Sequence, residues 1–125
     1  MDLIKGITSD HELIELANLL DIELDGIFTL DEIKKPLPKN RNYIILLENG
    51  DGIGHWVCTF HDQYFDSAGE PPPLILGIKK YNHKQYQSAY REYCGIWCLL
   101  FLYAKQNHRP DLLDGYYDLN DKTFE

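Results

Sequence analysis

The feature that most constrains the fold is an apolar run that begins at Cys94 and continues to about Asn107. A helix built from this run is apolar on nearly every face, with Ile96, Trp97, Cys98, Leu99, Leu100, Phe101, Leu102, Tyr103 and Ala104. Such a helix must be buried inside a protein or a membrane. Its continuously apolar part, "CGIWCLLFLYA", is about half as long as the ~20 apolar residues that cross a bilayer. We therefore predict a central, buried helix.

A second helix is predicted near the N-terminus. Ser9 is followed three residues later by Glu12, which is the capping-box pattern of a helix start. Apolar residues then recur at helical spacing as far as Leu20. These signals predict a helix over about 10–20.

Strand patterns occupy the middle of the chain. Apolar and alternating segments predict strands at 42–48, 55–60 and 63–67, the last two joined by a tight turn at His61 and Asp62. Segment 74–81 fits either a short helix or a strand. We therefore expect an α+β fold in which a small, mostly antiparallel central sheet packs on the buried helix.

The length of 125 residues suits one domain, 1–125, with a single core. Within it we expect a core region over about 26–107, the N-terminal helix over about 10–20 and a C-terminal tail over about 108–125. We see no linker or repeat.

Charge and cysteine content narrow the class of protein. Twenty acidic against twelve basic side chains give a net charge of −8, which argues against nucleic-acid binding. Three cysteines cannot all pair in disulfides, and the N-terminus has no apolar run typical of a signal peptide. We expect an intracellular protein with free thiols in a reducing compartment, without a membrane partner.

Cys94 stands where a polar segment becomes the apolar helix. The first turn of a helix has unpaired amide groups and a positive dipole end, which favour a thiolate. Gly95 leaves room for the backbone of a substrate to approach. This placement suits a nucleophile, although a cysteine that merely begins a core helix fits the position equally well.

A thiolate nucleophile needs a base and a group that orients the base. Strand alternation places His55 on one face of its strand and Trp56 on the other. If the following turn holds an even number of residues, Asp66 falls on the same face as His55. An oxyanion donor is also needed, and by spacing alone either Gln85 or Gln87 could supply a side-chain amide.

The order of these residues resembles that of a known protease family. The segments "GHW", "YFDSAG" and a glutamine seven residues before "CG" are similar to those of the adenovirus maturation protease and of the ubiquitin-like-protein-specific cysteine proteases. "GIF", "YFDSAGEPPP" and "YN" resemble the small relatives encoded by virophages and Polinton-like viruses. The resemblance covers roughly 26–104.

The resemblance implies a role for each residue. His55 becomes the general base, Asp66 the acid that orients it, Gln87 the oxyanion donor and Cys94 the nucleophile. The seven-residue spacing selects Gln87 over Gln85. Trp56 becomes the tryptophan beside the histidine, and together with Gly95 it is a candidate substrate-binding residue. The adenoviral enzyme has Glu where Asp66 stands.

The implied fold is papain-like, of the adenovirus-protease type, and the implied activity is a cysteine endopeptidase. It would cut viral capsid or core precursor proteins after small residues or glycine during virion maturation, in the host cytoplasm or viral factory, or packaged in the virion. An activating peptide is a further partner that the resemblance raises; no cofactor is expected. The alternatives are a protease that processes ubiquitin-like modifiers and a catalytically inactive binding module.

The other two cysteines have a simpler interpretation. Cys58 faces the core in the strand pattern, and Cys98 lies one helical turn after Cys94. A CxxxC pair on a helix can bind a metal, but no pair of histidines has matching ligand spacing. We interpret Cys58 and Cys98 as core residues and predict no metal site.

Overall fold

A computed structural model describes residues 9–48, 54–86 and 93–113. The two α-helices are α1 (Asp10–Leu19) and α2 (Cys94–Gln106), and the five strands are β1 (Gly26–Thr29), β2 (Asn42–Glu48), β3 (Gly54–Phe60), β4 (Gln63–Phe65) and β5 (Lys80–Tyr81). Short 3-10 turns occur at Leu30–Glu32, Leu74–Leu76 and Pro110–Leu113. The predicted α+β class is confirmed.

The five strands form one mixed sheet in the order β1-β2-β3-β4-β5. β2–β3 and β3–β4 are antiparallel, whereas β1–β2 and β4–β5 are parallel. The sheet is therefore mixed and not mostly antiparallel as predicted, because both edge strands pair in parallel. The three predicted strands are the central ones, β2 to β4. The structure adds two short edge strands, and segment 74–81 proves to hold both a 3-10 turn and a strand.

The turn between β3 and β4 has the predicted even length. Phe60 pairs with Gln63, which leaves His61 and Asp62 as the two turn residues. His61 takes a positive φ of 56°, as the first residue of some two-residue hairpin turns does. Because the turn is even, the two strands keep the same alternation of faces.

The capping box at the start of α1 is formed. The Ser9 hydroxyl accepts from the N–H of Glu12, and the Glu12 carboxylate accepts from the N–H of Ser9, both at 3.1 Å. α1 ends at Leu19, one residue before the predicted end, and its buried residues Leu13, Leu16 and Ala17 pack against α2. α1 therefore covers part of the central helix.

Two apolar cores cover the two faces of the sheet. The helix-side core joins β3 and β4 to the helices; it contains Leu13, Leu16, Ala17, Ile22, Ile44, Trp56, Cys58, Phe65, Cys94, Cys98, Leu99, Phe101, Leu102, Ala104 and Leu113. The loop-side core lies on the opposite face, under the 3-10 turns Leu30–Glu32 and Leu74–Leu76 and their loops. It contains Ile33, Tyr43, Ile45, Val57, Tyr64, Leu76 and Ile78.

α2 is mostly but not entirely buried. Cys98, Phe101 and Ala104 are fully enclosed, whereas Ile96, Leu100 and Tyr103 are partly exposed. The prediction of burial on nearly every face therefore overstates the enclosure. Among the described residues, no helix has the length and apolar character that a membrane crossing requires.

Candidate active site

The early end of β4 creates the space in which the candidate site lies. β4 ends at Phe65, opposite Cys58, while β3 continues back to Gly54. Alternation along β3 directs the N–H of Trp56 toward the β4 side, where β4 no longer reaches. This N–H donates instead to the Sγ of Cys94 at 3.2 Å. The start of α2 thus occupies the position of a missing strand partner.

Asp66 follows β4 directly and begins a tight turn. The N–H of Gly69 donates to the Asp66 carbonyl at 2.8 Å, and the N–H of Ala68 donates to its carboxylate Oδ1 at 2.8 Å. Asp at the first and Gly at the last position are typical of such turns, and a side chain that accepts from the second residue on is an Asx turn. The local sequence therefore orients the carboxylate.

The same carboxylate holds His55. Its Oδ1 lies 2.5 Å from His55 Nε2, with the two side chains 3% and 18% exposed. His55 shares one face of β3 with Val57 and Thr59, as predicted. Asp66 lies on the same side of the sheet. Because Nε2 is bonded to Asp66, Nδ1 is the ring nitrogen left for another group.

That other group is Cys94. Burial lowers the pKa of His55, but hydrogen bonds to Asp66 and Cys94, together with their negative charges, outweigh burial and raise it from 6.5 to about 10. A histidine with this pKa carries a positive charge at neutral pH. The charge is placed between a carboxylate and a thiol, an arrangement that favours an imidazolium–thiolate pair.

Cys94 is the first residue of α2 and is 5% exposed. Tyr93 precedes the helix and, within the described residues, makes no side-chain hydrogen bond to the helix start. The first amide groups of a helix have no partner inside it and carry the positive end of the dipole. These groups can stabilise a thiolate or an oxyanion that forms beside Cys94.

The two other cysteines are buried and free, as predicted. Burial raises the pKa of Cys98 well above that of an ordinary thiol, and a hydrogen bond with Cys58 adds to the shift. Cys98 is therefore held as a neutral thiol inside the helix-side core. Cys94 lies one turn earlier on the same helix and beside a histidine. The two cysteines therefore have different environments on one helix.

A further polar residue at the site was missed by the sequence analysis. Asn82 is fully buried, just beyond β5. Its Oδ1 accepts from the N–H of Asp66 at 2.9 Å, and its Nδ2 donates to the Asp66 carbonyl at 2.7 Å. The sequence showed this asparagine only as part of the segment "YN" in the family resemblance, which implies no role for it, and a single residue after a two-residue strand has no periodic signal.

For the remaining predicted site residues, the structure gives a position for some and none for Gln87. Gln87 lies outside the described residues, and Gln85, the alternative, is exposed. Gly95 is buried in the first turn of α2. The Trp56 side chain is 8% exposed in the helix-side core, so its contact with a substrate stays a prediction.

Comparison with protein-family models, curated proteins and solved structures finds no match to this chain. Within the described ranges, no group of three or more His, Cys, Asp or Glu side chains is arranged to hold a metal ion. What the site can do therefore has to be argued from its own geometry. That geometry joins a helix-start thiol, an imidazole and a carboxylate in series.

Proposed function

We propose that this chain is a cysteine endopeptidase with a papain-like fold of the adenovirus-protease type. The observation that carries the proposal is the chain of contacts from Asp66 through His55 to Cys94 at the start of α2. An oriented base beside a thiol is the arrangement that nucleophilic catalysis requires. The hydrogen bond between His55 and Cys94, which contributes to the raised pKa of His55, supports a base that lies beside the thiol. An activating peptide stays a partner that the family resemblance alone raises.

In the first half of the reaction, the Cys94 thiolate attacks the carbonyl carbon of the scissile peptide bond. A carbon–sulfur bond forms, and the carbonyl electrons move onto oxygen. Amide groups at the start of α2 stabilise this oxyanion, with Gln87 as the side-chain donor that the family resemblance implies. The tetrahedral intermediate then collapses and the carbon–nitrogen bond breaks. His55 gives its proton to the departing amine.

In the second half, water hydrolyses the thioester. His55, now neutral, accepts a proton from the water as its oxygen bonds to the acyl carbon. The carbon–sulfur bond breaks, which releases a carboxylic acid and restores the Cys94 thiolate beside protonated His55. Asp66 keeps the imidazole oriented and stabilises its charged form throughout.

The proposed substrates are viral capsid or core precursor proteins, cut after glycine or another small residue. The test is a peptide library that contains Gly at varied positions, incubated with the wild-type chain and analysed by mass spectrometry. We expect cleavage after small residues, and a fall of at least ~10³-fold in Cys94→Ala and in His55→Ala.

Cys98→Ala is the matched control, because it removes a thiol one turn further along α2. It should retain cleavage, since Cys98 is held neutral in the core. Equal cleavage by wild type and Cys94→Ala would contradict the proposed mechanism. Covalent capture by an electrophilic ubiquitin-like modifier, without cleavage of any library peptide, would move the substrate to that alternative class.

A further inference from the structure

Asn82 forms a closed set of hydrogen bonds around the backbone of Asp66. Its side-chain oxygen accepts from the Asp66 N–H at 2.9 Å, and its side-chain nitrogen donates to the carbonyls of Asp66 at 2.7 Å and Lys84 at 3.0 Å. Its side chain therefore has both amide ends engaged in a site from which water is excluded. Such fully satisfied buried groups hold their partners rigidly.

The hydrogen bonds of Asn82 to the Asp66 backbone, called the clamp below, lie next to the end of the β4–β5 pairing. β4 and β5 pair in parallel through Gln63–Lys80 and Tyr64–Tyr81, and β5 then ends. Asn82 follows directly and adds side-chain hydrogen bonds to the Asp66 backbone. The backbone that it holds belongs to the residue whose carboxylate contacts His55.

We propose that Asn82 is a positioning residue, which fixes the backbone of Asp66 so that its carboxylate holds His55 against Cys94. The catalytic consequence of this inference rests on the proposed function. The claim that Asn82 fixes the position of Asp66 and His55 does not rest on the proposed function, because it concerns only how His55 is held. The hydrogen bonds of the Asn82 side chain go to the backbone of Asp66 and Lys84, so it acts on His55 through Asp66.

The chain offers a matched control in Asn42. This asparagine is also buried, at 5% exposure, and also uses both ends of its side chain on backbone groups: its Oδ1 accepts from the His61 N–H and its Nδ2 donates to the Glu23 carbonyl. It lies at the opposite end of β3, because Asn42 pairs with Phe60. Asn42 thus clamps two segments of chain as Asn82 does, but it contacts neither Asp66 nor His55.

The experiment follows the titration of His55 by NMR in the wild type, Asn82→Ala and Asn42→Ala. Among the described residues, the charged groups that act on His55 are Asp66 and Cys94, and neither variant adds or removes a charge. In Asn82→Ala we expect the His55 midpoint to fall by at least ~1 pH unit toward its ordinary value as the contact loosens. In Asn42→Ala we expect no shift, although both variants lose stability.

A second readout is the alkylation rate of Cys94 at neutral pH. It should fall about tenfold in Asn82→Ala, since a small misplacement of a catalytic group has effects of this size or larger. It should stay at the wild-type value in Asn42→Ala. An unchanged His55 midpoint and unchanged alkylation in folded Asn82→Ala would overturn the inference and leave Asn82 a purely structural residue.

Two further measurements apply if Asn82→Ala does not fold. Asn82→Ser is also neutral, leaves a smaller cavity and should show the same shifts. In the wild type, the side-chain amide protons of Asn82 should exchange with solvent far more slowly than those of exposed Asn18. Equally fast exchange would show that the clamp is not formed, and would overturn the inference without any variant.

Failure of this inference and failure of the proposed function give different results. If the chain cuts no peptide but Asn82→Ala shifts the His55 midpoint, the positioning role stands and the endopeptidase proposal fails. If the chain cuts peptides but Asn82→Ala does not shift the His55 midpoint, the endopeptidase proposal stands and the positioning role fails. If both stand, Asn82→Ala should lower kcat and leave KM nearly unchanged.

Discussion

The two faces of the sheet are covered by different kinds of structure. The helix-side core is closed mainly by the two α-helices, with Phe65 stacked on Phe101 at 4.5 Å between ring centres, and the short turn Pro110–Leu113 adds Leu113. The loop-side core is closed by 3-10 turns and extended segments, such as Leu74–Leu76. The candidate site takes Cys94 from the first side and His55 from the second. The two meet beside the early end of β4, so the site draws on both cores.

The largest expected effect tests whether the helix-side core is the more rigid of the two. Phe101→Ala should lower the free energy of unfolding by about 4 kcal/mol, because it removes a fully buried ring that stacks on Phe65. Leu76→Ala, fully buried on the loop side, should cost about 3 kcal/mol, since a loop can partly collapse around the cavity. Urea unfolding measures both, and a larger loss in Leu76→Ala would reverse the comparison.

The second-largest effect concerns the positive charge of His55, which lies between the loop-side and helix-side parts of the site. The pKa of His55 is raised from 6.5 to about 10 in the folded chain. The stabilisation from its protonated form is therefore complete below pH 6.5 and is lost as the pH rises toward 10. The stability difference between wild type and His55→Gln should fall by a few kcal/mol over this range, as each pKa unit corresponds to ~1.4 kcal/mol.

Urea unfolding at several pH values checks this prediction. His108→Asn is the control, because it removes an exposed histidine that already has a positive φ of 55°, and asparagine tolerates that conformation. The stability difference of His108→Asn from wild type supplies the baseline for loss of an exposed histidine. A difference for His55→Gln that grows between pH 6.5 and 10 would contradict the assigned pKa.

A smaller effect separates stability from site geometry. Gly69 and Gly77 both have positive φ, at 79° and 67°. A Cβ at Gly69 would lie 3.2 Å from the Lys84 carbonyl, and one at Gly77 would lie 3.2 Å from Pro36. Gly69→Ala and Gly77→Ala should each cost roughly 1–2 kcal/mol from backbone strain.

Gly69→Ala should change the reactivity of the Cys94 thiol, whereas Gly77→Ala should not. The N–H of Gly69 donates to the carbonyl of Asp66, so a shift of this turn moves the carboxylate that holds His55. Alkylation of Cys94 should slow in Gly69→Ala and stay unchanged in Gly77→Ala. Equal rates in the two variants would show that the turn does not set the site geometry.

The smallest effect is expected at Tyr64. This fully buried side chain belongs to the loop-side core, and its hydroxyl finds no hydrogen-bond partner among the described residues. Burial raises the pKa of Tyr64 well above its ordinary value, and the charge of nearby Asp66 adds to the shift. Tyr64→Phe should leave stability unchanged or raise it by up to ~1 kcal/mol. A loss above that size would reveal a partner for the hydroxyl.

The central strands, the helices and the site pair follow from local signals in the sequence. Alternation in β3 and an even turn are enough to put His55 and Asp66 on one side, and a polar-to-apolar junction is enough to begin a helix at Cys94. The capping box at Ser9 and Glu12 is likewise a local pattern. These features depend on neighbours within a few positions along the chain.

The features that the sequence did not show depend on distant contacts. β1 and β5 are four and two residues long, too short for a periodic signal. For β5 the sequence left helix and strand open, and each of these strands pairs with a longer neighbour. The role of Asn82 depends on a partner sixteen positions earlier in the chain. The bond from Trp56 N–H to Cys94 exists because β4 stops at Phe65, which no pattern around Trp56 predicts.

The central claim is that His55 and Cys94 form an assembled pair. The most direct test is the rate of iodoacetamide alkylation against pH, with the modified residue located by mass spectrometry, in wild type and His55→Ala. We predict rapid labelling of Cys94 well below the ~8.5 pKa of a free thiol, and loss of that reactivity in the variant. Labelling of Cys94 at the rate of an ordinary thiol, with no response to the loss of His55, would contradict the account.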